Sequence, residues 1–193
     1  MSELDKKASA LAAAAALTGA EGWAGIQGGA DVLITAALLK AYMKAPYILA
    51  QDGAASAVWT GSLATHDFLT ITIPGGALGP KGSLKIESFW TISQNANTKT
   101  VMHKFGGATI NSWPVTTSGN VGSLLRMNNR NDQASQFIAR AGSTSIYGSG
   151  VNAHGAAAID TSVDQVLTLT GQLANASDTM VLEGYIIEIF PGF

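Results

Sequence analysis

From about residue 62 onward, short apolar runs recur, each closed by glycine, proline or asparagine. Such a chain can fold only into strands joined by tight turns. The runs are Phe68 to Ile73, Leu84 to Ile92, Thr98 to Phe105, Val121 to Asn128, Gln136 to Ala141, Val163 to Leu169 and Val181 to Phe190. Leu84, Ile86, Trp90 and Ile92 fall on one face of an extended chain, with Lys85, Glu87 and Thr91 on the other. Ser88 and Phe89 break this pattern. Pro74-Gly75-Gly76, Gly79-Pro80, Gly106-Gly107, Ser118-Gly119 and Asn175-Ala176 supply the turns. Seven or eight strands at this spacing predict a mainly β fold, an antiparallel β-sandwich or jelly roll over residues 62–193. Val181 to Phe190 is apolar on both faces, as expected for a central strand or one pressed against a partner.

The first 45 residues read differently. Ala10 to Ala16 favours helix, but the run is too short to be stable alone. It is a helix or arm that needs a neighbouring surface, or else a disordered tail. Trp23 to Gln27 and Val32 to Ile34 flank a Gly28-Gly29 turn signal. Thr35 can cap a helix over Ala36 to Lys44, which places Leu38, Leu39, Tyr42 and Met43 on one face. A hairpin plus helix of this size has no core of its own. Its apolar face calls for burial against something else. Residues 46–61 read as a linker, with a first strand at Val58-Trp59.

Charged residues make up 12% of the chain and the net charge is −2, so nothing favours binding to nucleic acid. Low charge also suits a surface covered by further copies of the chain. There is no cysteine, hence no disulfide and no thiolate metal site. No apolar run approaches the ~18 residues of a membrane span. Glu3 and Asp5 acidify the region where a signal peptide would be basic, so a cytoplasmically assembled protein is expected.

The search for chemistry yields little. No serine lies in a G-x-S-x-G elbow. His66, His103 and His154 are far apart in sequence, and His103 reads as a packed strand residue. Glu183 and Glu188 should sit on opposite faces of one strand, which prevents a glycosidase pair. Asp160 and Asp178 lack a calcium-loop pattern. No enzyme, metal or cofactor is expected. Trp90 reads as core. Trp113, Tyr147 and His154 lie in turn-rich stretches and are the candidates for stacking on sugar rings. Asn111, Asn120 and Asn152 stand nearby in sequence to meet hydroxyls.

Ala16-Leu17-Thr18-Gly19-Ala20-Glu21, then Ile26-Gln27-Gly28-Gly29, Val32 to Thr35 and the segment through Tyr42 resemble a known module. It is similar to the N-terminal segment of tail-fibre and related virion proteins of tailed bacteriophages. Gly22 and Gly25 stand where that pattern has larger apolar residues. The resemblance implies a virion anchor in which Leu17, Thr18, Glu21, Ile26, Gln27, Leu38 and Tyr42 carry the attachment. Gly82 to Ile86, Thr98 to Thr100, Phe105 to Gly107, Asn128 to Asn131, Asp160 to Ser162 and Leu167 to Ala174 resemble β-sandwich domains of phage minor structural proteins. This second resemblance implies a homotrimer. The expectation is therefore a virion fibre or spike contacting other virion proteins, and possible host polysaccharide. The alternatives are a capsid decoration or head-fibre protein without a receptor, and a free lectin or polysaccharide-degrading enzyme.

Overall fold

In a computed structural model, residues 22–27, 30–35, 45–141 and 154–193 are described. The chain divides into two compact units, Met1–Met43 and Lys44–Phe193. In the first, β1 (Gly22–Gln27) pairs antiparallel with β2 (Ala30–Thr35). Gln27 stands opposite Ala30 at the end of the pairing. Thr35 ends β2. The helix expected after it lies outside the described residues, as do Leu17, Thr18, Glu21, Leu38 and Tyr42.

The second unit is mainly β, in two antiparallel sheets. One has six strands: β10 (His154–Ala157), β9 (Gln136–Ala141), β8 (Asn120–Asn129), β5 (Ser83–Ile92), β12 (Met180–Phe190) and β3 (Tyr47–Asp52), in that spatial order. The other has four, in the order β4 (His66–Ile73), β11 (Gln165–Leu173), β6 (Lys99–Phe105) and β7 (Ala108–Val115). No described residue lies in a helix, and none of the described elements is long and apolar enough to cross a membrane as one.

Both sheets contribute to one core. Leu84, Ile86, Trp90, Leu125, Met127 and Ile187 come from the six-stranded sheet, and Val101, Phe105, Leu167 and Leu169 from the other. Alternation explains the assignment, because inward positions recur every second residue. The two exceptions in β5 resolve cleanly. Ser88 faces inward and is buried, accepting a hydrogen bond from Trp90 Nε1 (2.8 Å) and contacting His103 Nε2 (3.1 Å). Phe89 faces outward and is 46% exposed.

Three strands were not foreseen. Residues 46–61, expected as a linker, instead supply edge strand β3, which pairs with β12. Trp59 forms only an isolated bridge to Met180 rather than a strand. Ala108–Val115 is strand β7, paired with β6 across a two-residue turn in which Gly106 and Gly107 both have positive φ (55° and 78°). His154–Ala157 is the short edge strand β10.

Two buried polar clusters tie the domain together. The first spans the layers: Ser88 of β5, His103 of β6, Asn111 of β7 and Ser123 of β8 are linked in a chain. The second ties the β5–β6 connection to the β11–β12 connection. Lys99 Nζ donates to Asn95 Oδ1 (2.9 Å) and to the carbonyls of Asn97 (2.7 Å) and Thr116 (2.8 Å). Asn95 Nδ2 in turn donates to Asp178 Oδ1 (2.5 Å).

Candidate ligand-binding site

The outward face of the six-stranded sheet is organised around β5. Lys85 lies near its start, bonded to Glu87 (2.6 Å) and Glu188 (2.8 Å). Those carboxylates, Glu188 first, hold its ammonium group above its ordinary pKa. Arg126, opposite Lys85 on β8, lies over the Phe190 ring at 4.8 Å from its centre.

Towards the other end of β5 the face changes character. Phe89 pairs with Gly122 on β8 and with Gly184 on β12. Both cross-strand neighbours therefore lack a side chain, and the ring stands uncovered. Gly184 is required here. A Cβ at that position would come within 2.9 Å of the Asp52 carbonyl oxygen, where the end of β3 crosses close by. A β-bulge between Leu182 and Gly184 adds a residue to β12 at the same point. The bulge also breaks the odd–even count that set Glu183 and Glu188 on opposite faces.

The result is a groove of about 640 Å³. Phe89, Gly184 and Ile186 line it along the sheet, and Gln51, Asp52, Gly53, Glu183 and Tyr185 complete it. Asp52 Oδ1 already accepts the Ala54 N–H (2.8 Å), which fixes the turn that follows β3. Carboxylate and amide groups stand round an exposed aromatic ring, with no basic residue in the lining. Among the described residues no group of three acidic or histidine side chains could hold a metal ion.

A second cleft, of about 340 Å³, opens where β7 meets β9 and β10. Arg140 lines it and donates from Nε to the Ile110 carbonyl (2.8 Å) and from one terminal nitrogen to the His154 carbonyl (3.1 Å). Its guanidinium pKa is lowered by burial. Asp160 also lines this cleft, held below the usual carboxylate range by the hydroxyl and N–H of Ser162. Arg140 thus joins the two sheets at this edge.

The sugar-stacking candidates fall elsewhere. Trp113 is not in a turn. It lies in β7 opposite Val101, half-buried and packed against the core. Asn111 beside it is buried and bonded to Ser123 (3.4 Å), so it does not offer its amide to solvent. His154 is exposed at the start of β10 and stacks on Phe137 at 5.2 Å. Tyr147 and Asn152 lie outside the described residues. Trp113 and His154 belong to different sheets and form no common ring platform. Ile26 and Gln27, expected in attachment, are in β1. Asp160 and Asp178 lie beyond opposite ends of β11, too far apart to share an ion.

The groove was only half legible in the sequence. Phe89 stood out as an apolar residue at a polar position. Nothing in the sequence announced that Gly122 and Gly184 would flank it, because those pairings are distant along the chain.

A scan against known protein families finds no match, and a search of curated protein sequences finds none either. Several solved structures resemble the fold. The CBM2 module of the evolved Dit of Lactobacillus casei BL23 phage J-1 is 9% identical, with a TM-score of 0.33, over 64% of this chain and 70% of that one. Winged bean acidic lectin, solved with methyl-α-D-galactose, is 9% identical with a TM-score of 0.35, over 65% and 78%. The VP2 subviral particle of infectious bursal disease virus is 11% identical with a TM-score of 0.31, over 86% and 45%. These are loose likenesses and carry no argument about what the chain does.

Proposed function

We propose that this chain is a structural component of a bacteriophage virion: a trimeric fibre or spike protein whose N-terminal module attaches it to the particle and whose C-terminal β-sandwich is displayed. The observation that carries this reading is the β1–β2 hairpin. It forms at the residues where the resemblance to phage attachment modules calls for strand, Gln-Gly-Gly, strand. It also belongs to a different compact unit from the two-sheet domain. A separate small hairpin has too little apolar surface to stand alone, which suits a segment completed by another virion protein.

Two of the titratable groups are committed to the fold. His103 is buried in the core, and Glu188 is engaged by Lys85. The direct test is location. Antibody raised against residues 44–193 should decorate particles at fixed positions in negative stain. Antigen found only in the soluble fraction of a lysate, with bare particles, would overturn the virion reading.

A further inference from the structure

We propose that the groove beside Phe89 is a binding site for one residue of a neutral sugar, most simply a hexopyranose within a polysaccharide. This goes beyond the virion reading and does not depend on it.

The argument starts from the ring. Phe89 is 46% exposed on a sheet face, and both residues paired with it are glycine. A Cβ at Gly122 would already touch the Phe89 ring edge at 4.0 Å. Any larger residue there would cover the ring. An uncovered, rigid aromatic face is apolar and loses little conformational entropy on binding. A pyranose offers it a matching surface, since one face of the sugar ring presents C–H groups and the rim presents hydroxyls.

The groove's rim fits that rim of hydroxyls. Gln51, Asp52 and Glu183 line it, and no lysine, arginine or histidine does. The acceptors suit hydroxyl donors, and carboxylates accepting from them form charge-assisted hydrogen bonds. The same two carboxylates repel anionic ligands, which argues against sialic acid, uronic acid or phosphate. A basic peptide would also meet the charge requirement. An extended peptide, however, gains most from adding to a free strand edge. Here the groove floor is made of β5 and β12, whose backbones are already paired with each other, and edge strand β3 reaches it only with its last residues, Gln51 and Asp52. What the floor leaves available is side-chain surface, which favours a compact hydroxylated ring.

The test uses the full-length protein and a panel of neutral methyl glycosides, read by ligand-detected NMR up to about 50 mM, the range for a single weak site. At least one glycoside should bind. Phe89→Ala should weaken it by about tenfold or more, Phe89→Tyr should restore it, and Glu183→Gln should weaken it several-fold. Phe89 is a surface residue, so circular dichroism should show the alanine variant folded. The proposal is overturned if no neutral glycoside binds, or if Phe89→Ala binds as the parent does. It is equally overturned if an arginine-rich peptide binds the groove and the glycosides do not. Loss of oligomer mass in Phe89→Ala would also overturn it, by assigning the ring to a contact between copies.

Discussion

His103 has no solvent exposure and sits between the sheets, with Nε2 beside Ser88 and Nδ1 facing the Asn111 amide. The amide nitrogen is a donor, so Nδ1 accepts and Nε2 carries the proton towards Ser88. Burial lowers the imidazole pKa to about 4 from the ordinary 6.5. In the unfolded chain the ring therefore takes up a proton near pH 6.5, while the folded protein resists until about pH 4. Stability from the neutral ring is fully present above pH 6.5 and is lost progressively as pH falls towards 4. The slope should be about 1.4 kcal/mol per pH unit, a total of about 3 kcal/mol. Denaturant unfolding at a series of pH values should show this slope in the parent and lose it in His103→Gln. Equal pH profiles would mean the ring is already charged or solvated in the native state. Asn95 raises a different issue. Its amide stands between a buried ammonium and a buried carboxylate, accepting from Lys99 and donating to Asp178. Asp178 Oδ2 has no partner among the described residues, so the carboxylate is held through Oδ1, by Asn95 and more loosely by Asn97 (3.4 Å). Asn95→Leu removes two charge-assisted hydrogen bonds at once and should cost about 3 kcal/mol. An urea midpoint shift below a third of that would show that water replaces the bridge.

At the scale of elements, β3 decides where the domain begins. It covers the edge of β12 from Tyr47 to Asp52, beside the apolar Ile187 and Ile189. A chain starting at Lys44 keeps this strand and should fold to the same β-rich circular dichroism as the full protein. One starting at Gly53 exposes the apolar β12 edge and should aggregate or unfold at lower denaturant. If the shorter chain is equally stable, β3 is an ornament and the sheet effectively ends at β12. β3 also shows why part of the fold was hidden in the sequence. Tyr47, Ile48, Leu49 and Ala50 are apolar in succession, but the strand is short and lies between a proline and a run of small residues. An edge strand needs no strict alternation, so the pattern that revealed β5 and β8 was absent. β7 escaped for a related reason. Pro114 and two polar residues interrupt it, which an edge strand tolerates and a central one does not. The Gly106-Gly107 turn was visible, and the apolar strand before it, β6, was read correctly. β12, whose two apolar faces suit a central strand or one pressed against a partner, lies between β5 and β3.

For the molecule as a whole, the question is how many copies assemble. Charged residues are only 12% of the chain, about half the usual share near 25%. The two-sheet domain exposes Ile48 (50%), Val58 (62%), Leu63 (53%), Val163 (52%) and Val166 (46%) in addition to Phe89. Scattered exposed apolar residues are ordinary. Combined with so little charge to keep copies apart, they favour association. Four strands, β3, β4, β7 and β10, also end their sheets without a described neighbour on the outer side, and such edges invite pairing unless something covers them. Closed symmetry is the usual outcome for identical chains, and the resemblance to phage fibre proteins implies three. Light scattering on the purified full chain should therefore give about three times the 19.8 kDa chain mass. Repeating the measurement on residues 44–193 locates the contact. A trimer in both would place the interface on the two-sheet domain. A trimer only in the full chain would assign it to the hairpin unit, leaving the exposed apolar residues of the domain for other partners. A monomer of the full chain at micromolar concentration would remove the trimer, and with it the avidity that a weak sugar site needs to hold a polymer.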